Sequence, residues 1–217
     1  MTRFPIPFVL LSCCCATTAP IPPIDTPKAA VVLTSYKLPN TVDLGEIDED
    51  ELLVPASRFK KLAERGEKEI TLRINSPGGS IFAGHRWGRN MEDLKKRHGL
   101  KVTCVVDGMA ASMAAVILES PLCDTRLATT RSIILFHNGS SGTRGTAEDL
   151  KQAAIFLEAL NQAMAHAVSN RLGLTLEDYR AKIAGVDWVM AAVVAKYDGV
   201  IDGFADPTEI APPEVSL

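Results

Sequence analysis

Ser112, His137 and Asp187 are of the residue types that together perform nucleophilic acyl transfer. A serine hydroxyl attacks well only when a neighbouring base takes its proton. The base works best when a carboxylate fixes its tautomer, and the negative oxygen of the intermediate needs donors already in place. Ser112 follows Asp107-Gly108-Met109-Ala110-Ala111, between the β-branched run of residues 101–106 and the apolar run of residues 114–118. This reads as strand, sharp small-residue turn and buried helix, with Ser112 at the helix start. Unpaired N–H groups and the helix dipole favour developing negative charge there. The same residues also fit a tight packing point between helix and sheet, and the motif alone does not decide between the two.

The elements that must hold these side chains follow from periodicity. Alternating and β-branched residues predict strands over 29–36 and 41–47. The acidic run of residues 46–51 then leads into a helix over 52–65, with Leu53, Val54, Phe59 and Leu62 on its apolar stripe and Gly66 as its stop. Residues 69–74 alternate as a strand and run directly into Asn75-Ser76-Pro77-Gly78-Gly79-Ser80. Two glycines after proline allow a turn that a Cβ would block and can aim N–H groups at a ligand; an ordinary strand-to-helix turn has the same composition. Residues 81–98 predict an amphipathic helix ended by Lys95, Lys96, Arg97, His98 and Gly99.

Residues 132–136 form a buried strand that delivers His137 at its C-terminal end. Active sites of open α/β sheets gather at such ends, although a core histidine fits the same pattern. Residues 138–145 are too polar and glycine-rich for a core and read as a surface loop. Thr146 to Asp149 resembles a capping box opening a long helix, with Leu150, Ala153, Ala154, Leu157, Leu160, Met164 and Val168 on one stripe and Gly173 past its end. Such a helix is roughly 40 Å long, more than a small domain needs for its own core, which points to contact with a second copy. Thr175 caps a shorter helix ending at Gly185, and residues 186–188 form a tight connection in which Asp187 also suits a helix cap. A helix over 190–197, a strand at 200–201 and a proline-containing tail over 206–217 complete the chain. The succession of strands and helices implies a parallel sheet with right-handed crossovers.

With 217 residues, 47% hydrophobic and 23% charged, the chain suits one α/β domain, assigned to residues 29–205. A net charge of −3 and no Lys/Arg run longer than Lys95-Lys96-Arg97 give no basic field for nucleic acid. Residues 1–19 read as an export leader, with Leu10-Leu11-Ser12-Cys13 resembling a lipoprotein box, and the proline-rich residues 20–28 read as a stiff linker. The leader implies a periplasmic or cell-envelope location, with the cytoplasm as the alternative. Three of the five cysteines fall in the leader; Cys104 in an apolar strand and Cys123 in a turn read as free thiols. No Cys/His cluster suggests a metal and no G-x-x-x-x-G-K-[ST] run a nucleotide, so no cofactor is expected.

Four blocks stand in order across roughly residues 42–203: Ile74-Asn-Ser-Pro-Gly-Gly79, Gly108-Met-Ala-Ala-Ser-Met113, Ile133-Ile-Leu-Phe-His137, and Val186-Asp187 through Lys196 to Asp202. They resemble the signature blocks of the ClpP family of serine peptidases. The resemblance implies a ClpP/crotonase-like α/β fold of repeated β-β-α units, with a mostly parallel sheet and helices packed outside. It implies a serine endopeptidase acting on small or unfolded polypeptides, with Ser112 as nucleophile, His137 as base then acid, and Asp187 orienting the imidazole. The N–H groups of Gly79 and Met113 would form the oxyanion hole, and Gly78, Asn138 and Gly139 would meet the substrate. It also implies a homo-oligomer, a ring among the forms available. With an export leader the chain would resemble exported bacterial members, for which an ATPase partner is not expected because ATP is absent outside the cell.

Two stretches depart from the family pattern. Asn138-Gly139 follows His137 where a proline-containing stretch is usual, and Val193-Val194-Ala195 replaces a glutamate-alanine pair, which leaves the peptide-binding ribbon and the ring contacts open. The competing readings are a catalytically silent ClpP-like scaffold, and a crotonase-fold acyl-CoA enzyme, which would not need all three side chains. A serine-lysine peptidase would require a lysine near Ser112, and the matching blocks offer none.

Overall fold

The computed structural model describes residues 40–205. The expected leader, linker, first strand (29–36) and tail lie outside the described residues. The described residues form one seven-stranded sheet. Strand β1 (Thr41–Leu44) pairs with β2 (Glu69–Ser76), β2 with β3 (Lys101–Ala111), β3 with β4 (Thr125–Ala128), and β4 with β7 (Gly203–Phe204), all parallel. A second arm leaves β3: β5 (Ile133–Phe136) lies parallel to it, and β6 (Trp188–Ala191) runs antiparallel to β5. The sheet is therefore mixed and mostly parallel.

Alternation buries Ile70, Leu72 and Ile74 of β2 and Val102, Cys104 and Val106 of β3. They join Phe59 and Leu62 of α1 (Leu53–Glu64), Trp87 and Met91 of α2 (Ile81–His98), and Ile117 and Leu118 of α3 (Met113–Leu118) in the main core. A small separate cluster gathers Val105, Leu127 and Ala205. Helix α2 begins and ends where local chemistry requires: the Ser80 side chain accepts from the Ala83 N–H, and Gly99 closes the helix at φ 61°. Helix α4 (Ala147–Leu172) opens on a complete Thr146/Asp149 capping box.

Several expectations are corrected. Leu53 and Val54 are exposed, because α1 turns Leu52, Pro55, Phe59 and Leu62 inward instead. Residues 107–111 continue strand β3 rather than forming a turn, and the change of direction is confined to Ser112. Met190 belongs to β6, so the last helix, α6, is Ala192–Tyr197. Val200 and Ile201 are buried outside any strand, their N–H groups bonding to Ala195 O, and the final strand comes two residues later. In α4 only Met164, Ala165, Val168 and Ser169 are buried; Leu150, Ile155 and Phe156 nearer its start are exposed.

Cys104 and Cys123 form a disulfide rather than two free thiols. The sequence could not show that the turn after α3 folds back onto β3, which brings their Cα atoms to 5.5 Å. The bridge closes a loop with a sequence separation of 19 that contains Ser112 and all of α3. Closing a loop of this size stabilises by about 3 kcal/mol in the chain-entropy account. The double variant Cys104→Ala/Cys123→Ala should therefore melt at a temperature roughly 6–12 °C lower. Equal melting temperatures for oxidised wild type and the variant would contradict the pairing.

Candidate active site

Strand β5 aligns the candidate residues from both of its edges. On one edge it pairs with the end of β3, Ala111 opposite Leu135, and the next N–H, that of Ser112, donates to Leu135 O at 2.9 Å. On the other edge Phe136 stands opposite Trp188, so one step further along the antiparallel pair His137 comes to face Asp187. His137 Nδ1 lies 3.6 Å from Asp187 Oδ1, longer than a hydrogen bond and close enough for a small rotation to make one. The pairing is braced by aromatic rings. Phe136 and Trp188 lie 5.4 Å apart, and Tyr179 from α5 (Leu176–Lys182) packs edge-on to both at 6.2 and 6.3 Å.

Ser112 has φ 57° and ψ −125°, and among the described residues it is the only non-glycine with positive φ. Such a conformation costs about 1–3 kcal/mol and persists only where the surroundings enforce it. Here the Leu135 bond on one side and the first turn of α3, whose Ala115 and Val116 N–H groups bond Ser112 O, hold it from both directions. The sharp turn lifts the serine out of the strand while Met113 begins the helix, leaving the Met113 N–H without an acceptor four residues earlier in the helix.

The Gly-Gly loop lies against this turn. Gly78 is buried and committed inward: its N–H donates to Ser76 Oγ at 3.1 Å and its O accepts from Ile47 N–H at 2.9 Å. A Cβ on Gly78 would come within 2.6 Å of Ser112 Cβ, so this glycine supports the serine from beneath rather than facing the cleft. Gly79 is exposed, at φ 142°. Its neighbours make the bridge to Ile47 through Gly78 O and the Ser80 N–H, which leaves the Gly79 N–H outside that ladder.

Ser112, Met113, His137, Asn138 and Gly139 line one cleft, with Ile81, Val116, Phe136, Met164 and Ala165 as its apolar wall. The enclosed space is about 20 Å³, room for roughly one water. Asp187 stands outside that wall, behind His137. The Asn161 side-chain oxygen, from α4, accepts the Gly139 N–H at 2.7 Å and fixes the loop that follows His137.

Sequence reasoning missed four supporting groups: β6, Asn161, Ser76 and Ser132. Where β3 changes partner from β4 to β5, the single residue Asn75 of β2 faces three residues, Asp107 to Met109. Ser132 fills the gap in the ladder by donating to Val106 O at 2.8 Å and accepting from the Gly108 N–H at 3.2 Å. Neither serine carries a periodic signal: Ser76 acts on the turn two residues on, and Ser132 is defined by partners more than twenty positions away.

A mostly parallel sheet whose central strand ends on a positive-φ serine, with a histidine ending the next strand, is the architecture of an α/β peptidase of the serine type. The sequence profile of the Clp protease family matches residues 53–208, and the chain belongs to that family. It is 36% identical over 140 residues to the ATP-dependent Clp protease proteolytic subunit 2 of Bacillus licheniformis, covering 64% of this chain and 71% of that protein. It is 33% identical over 135 residues to the ATP-dependent Clp protease proteolytic subunit of Porphyromonas gingivalis, covering 62% of this chain and 59% of that one, less than two thirds of its length. Family membership makes the chain a serine-type endopeptidase in class.

Because Gly78 sits under Ser112 at φ 97°, Gly78→Ala should displace the serine. Its reaction with a fluorophosphonate should slow by roughly a hundredfold, the usual consequence of a reacting group displaced by about 1 Å. An unchanged labelling rate in the folded variant would show that the close packing does not position Ser112.

Proposed function

We propose that this chain hydrolyses peptide bonds of small or unfolded polypeptides through Ser112, His137 and Asp187. The observation that carries the reading is the double register of β5, which sets Ser112 on one edge and Asp187 on the other around His137. In the proposed reaction His137 takes the Ser112 proton as Oγ attacks the peptide carbonyl carbon. The carbonyl π electrons move to oxygen, where the Gly79 and Met113 N–H groups stabilise the charge. The intermediate collapses, the C–N bond breaks, and His137 returns the proton to the departing amine. Water then repeats the sequence on the acyl-serine and releases the acid. Asp187 holds the imidazole tautomer throughout. The His137–Asp187 separation shortens when substrate excludes water, as catalytic hydrogen bonds commonly do on going from the free to the bound enzyme. Asn138 and Gly139 flank the scissile bond, and the apolar wall of the cleft favours an apolar side chain next to it.

We also propose that the protein works as a homo-oligomer outside the cytoplasm. Leu150, Ile155 and Phe156 are exposed on the first half of α4 and offer apolar surface to a second copy, and the relatives' names describe them as subunits. The buried disulfide and the leader both suit an oxidising compartment. The ATP dependence named for the relatives is not carried over, since no ATP is supplied there.

Fluorophosphonate labelling located by peptide mass spectrometry tests the triad. Labelling should fall on Ser112 alone, vanish in Ser112→Ala, be nearly abolished in His137→Ala, and slow by on the order of 10⁴ in Asp187→Asn. Peptide hydrolysis that persists in folded Ser112→Ala would overturn the proposal.

A further inference from the structure

We infer that Glu119 is a positioning residue for the nucleophile: paired with Arg126, it seats the far end of the short helix whose near end carries Ser112. The inference rests on the reading of Ser112 as nucleophile. Helix α3 is only six residues long, with Ser112 at its N-cap and Glu119 at its C-cap. A helix of this length spans about 9 Å and moves as one rigid piece. Where Glu119 sits therefore fixes the direction in which Ser112 and the Met113 N–H point.

Glu119 is 2% exposed, and Oε2 accepts from Arg126 Nη1 while Oε1 has no hydrogen-bond partner among the described residues. Arg126, on β4, is itself buried and is held on its other side by Asp202, through Nη2 to Oδ1 at 2.8 Å and Nε to Oδ2 at 3.3 Å. Asp202 Oδ2 also accepts the Arg126 backbone N–H at 2.7 Å. The charged and titratable groups facing Glu119 are thus Arg126 from β4, Asp202 from the segment before β7, Arg171 from α4 and, more remotely, Tyr179 from α5.

Stability gives little reason for a carboxylate at this place, since Asp202 already pairs the buried Arg126. Burial penalises the carboxylate's charge and the C-terminal end of the helix dipole repels it. A well-packed apolar residue in place of a buried ion pair is often neutral or better for stability. Burial pushes the Glu119 carboxyl up to about 7, against the pull of Arg126. What the ionised carboxylate supplies is direction, since a bond to an arginine already fixed by Asp202 defines where the helix end must lie. Protonation weakens that bond, and with it the hold on α3, within the range where a serine peptidase works.

The test is the rate of fluorophosphonate labelling of Ser112 in the full chain, followed from about pH 5 to about pH 9, a range that spans histidine titration. In wild type the ionisation of Glu119 should add a gain of roughly tenfold to a hundredfold to the acidic limb, so the logarithm of the rate should climb there more steeply than one per pH unit. In Glu119→Gln, which mimics the protonated acid, the slope should fall to one. The plateau rate should drop between roughly tenfold and a hundredfold, as for a misaligned reacting group. Glu119→Leu, of similar bulk and no charge, should behave the same way with an unchanged circular dichroism spectrum. Superimposable profiles and rates in folded variants would overturn the inference, and so would loss of the fold in both, which would make Glu119 merely structural. Absence of labelling in wild type at every pH would overturn the reading of Ser112 itself, and this inference with it.

Discussion

The arrangement around the site depends on one hydrogen bond, from the Ser112 N–H to Leu135 O. It extends the β3–β5 ladder one step beyond Ala111 and so ties the residue that leaves the strand to the strand that carries His137. That bond carries the pairing of Met109–Ala111 with Ile133–Leu135 one residue further, to the serine itself. The same short strand, β5, is measured on its opposite edge against β6, so a slip of one residue in either pairing would turn His137 or Asp187 to the wrong face. The Phe136, Trp188 and Tyr179 rings make such a slip expensive because their packing exists in only one register.

That ladder is possible only because β3 bends. Its first part lies beside β4 and its last part beside β5, and Gly108 at φ 116° stands between them with Asn75 Oδ1 only 2.7 Å from where a Cβ would be. The packing of α2 makes a similar demand. A Cβ on Gly84 would fall 2.4 Å from Met113 Cγ, so the helix approaches the start of α3 as closely as its backbone allows. Small residues around Ser112 thus serve close approach, while the strain of the serine itself is held by hydrogen bonds on both sides.

What the sequence made legible was local. Helix α2 and helix α4 were readable to the residue, because Ser80, Gly99, Thr146 and Asp149 act on neighbours within one turn. His137 at a strand end was readable because residues 133–136 are apolar throughout. Strand β6 was not, since four residues reading Trp-Val-Met-Ala run on into a helix and become a strand only through β5, more than fifty positions away. The same non-locality hid the disulfide, the Ser132 bridge and the Glu119–Arg126–Asp202 cluster. The candidate triad was therefore visible as three residues, and the element that sets the third against the second was not.

In the proposed mechanism this register assembles a nucleophile, a base and two preset donors at one point. A crystal structure of the protein reacted with a peptide boronate measures it directly. Boron should be bonded to Ser112 Oγ, with one boronate oxygen within about 3.1 Å of both the Gly79 and Met113 nitrogens. His137 should lie between Ser112 and Asp187, with the Asp187 separation shortened to hydrogen-bond length. A boronate oxygen turned away from both amides, or His137 left unpaired with Asp187 around a bound adduct, would contradict it.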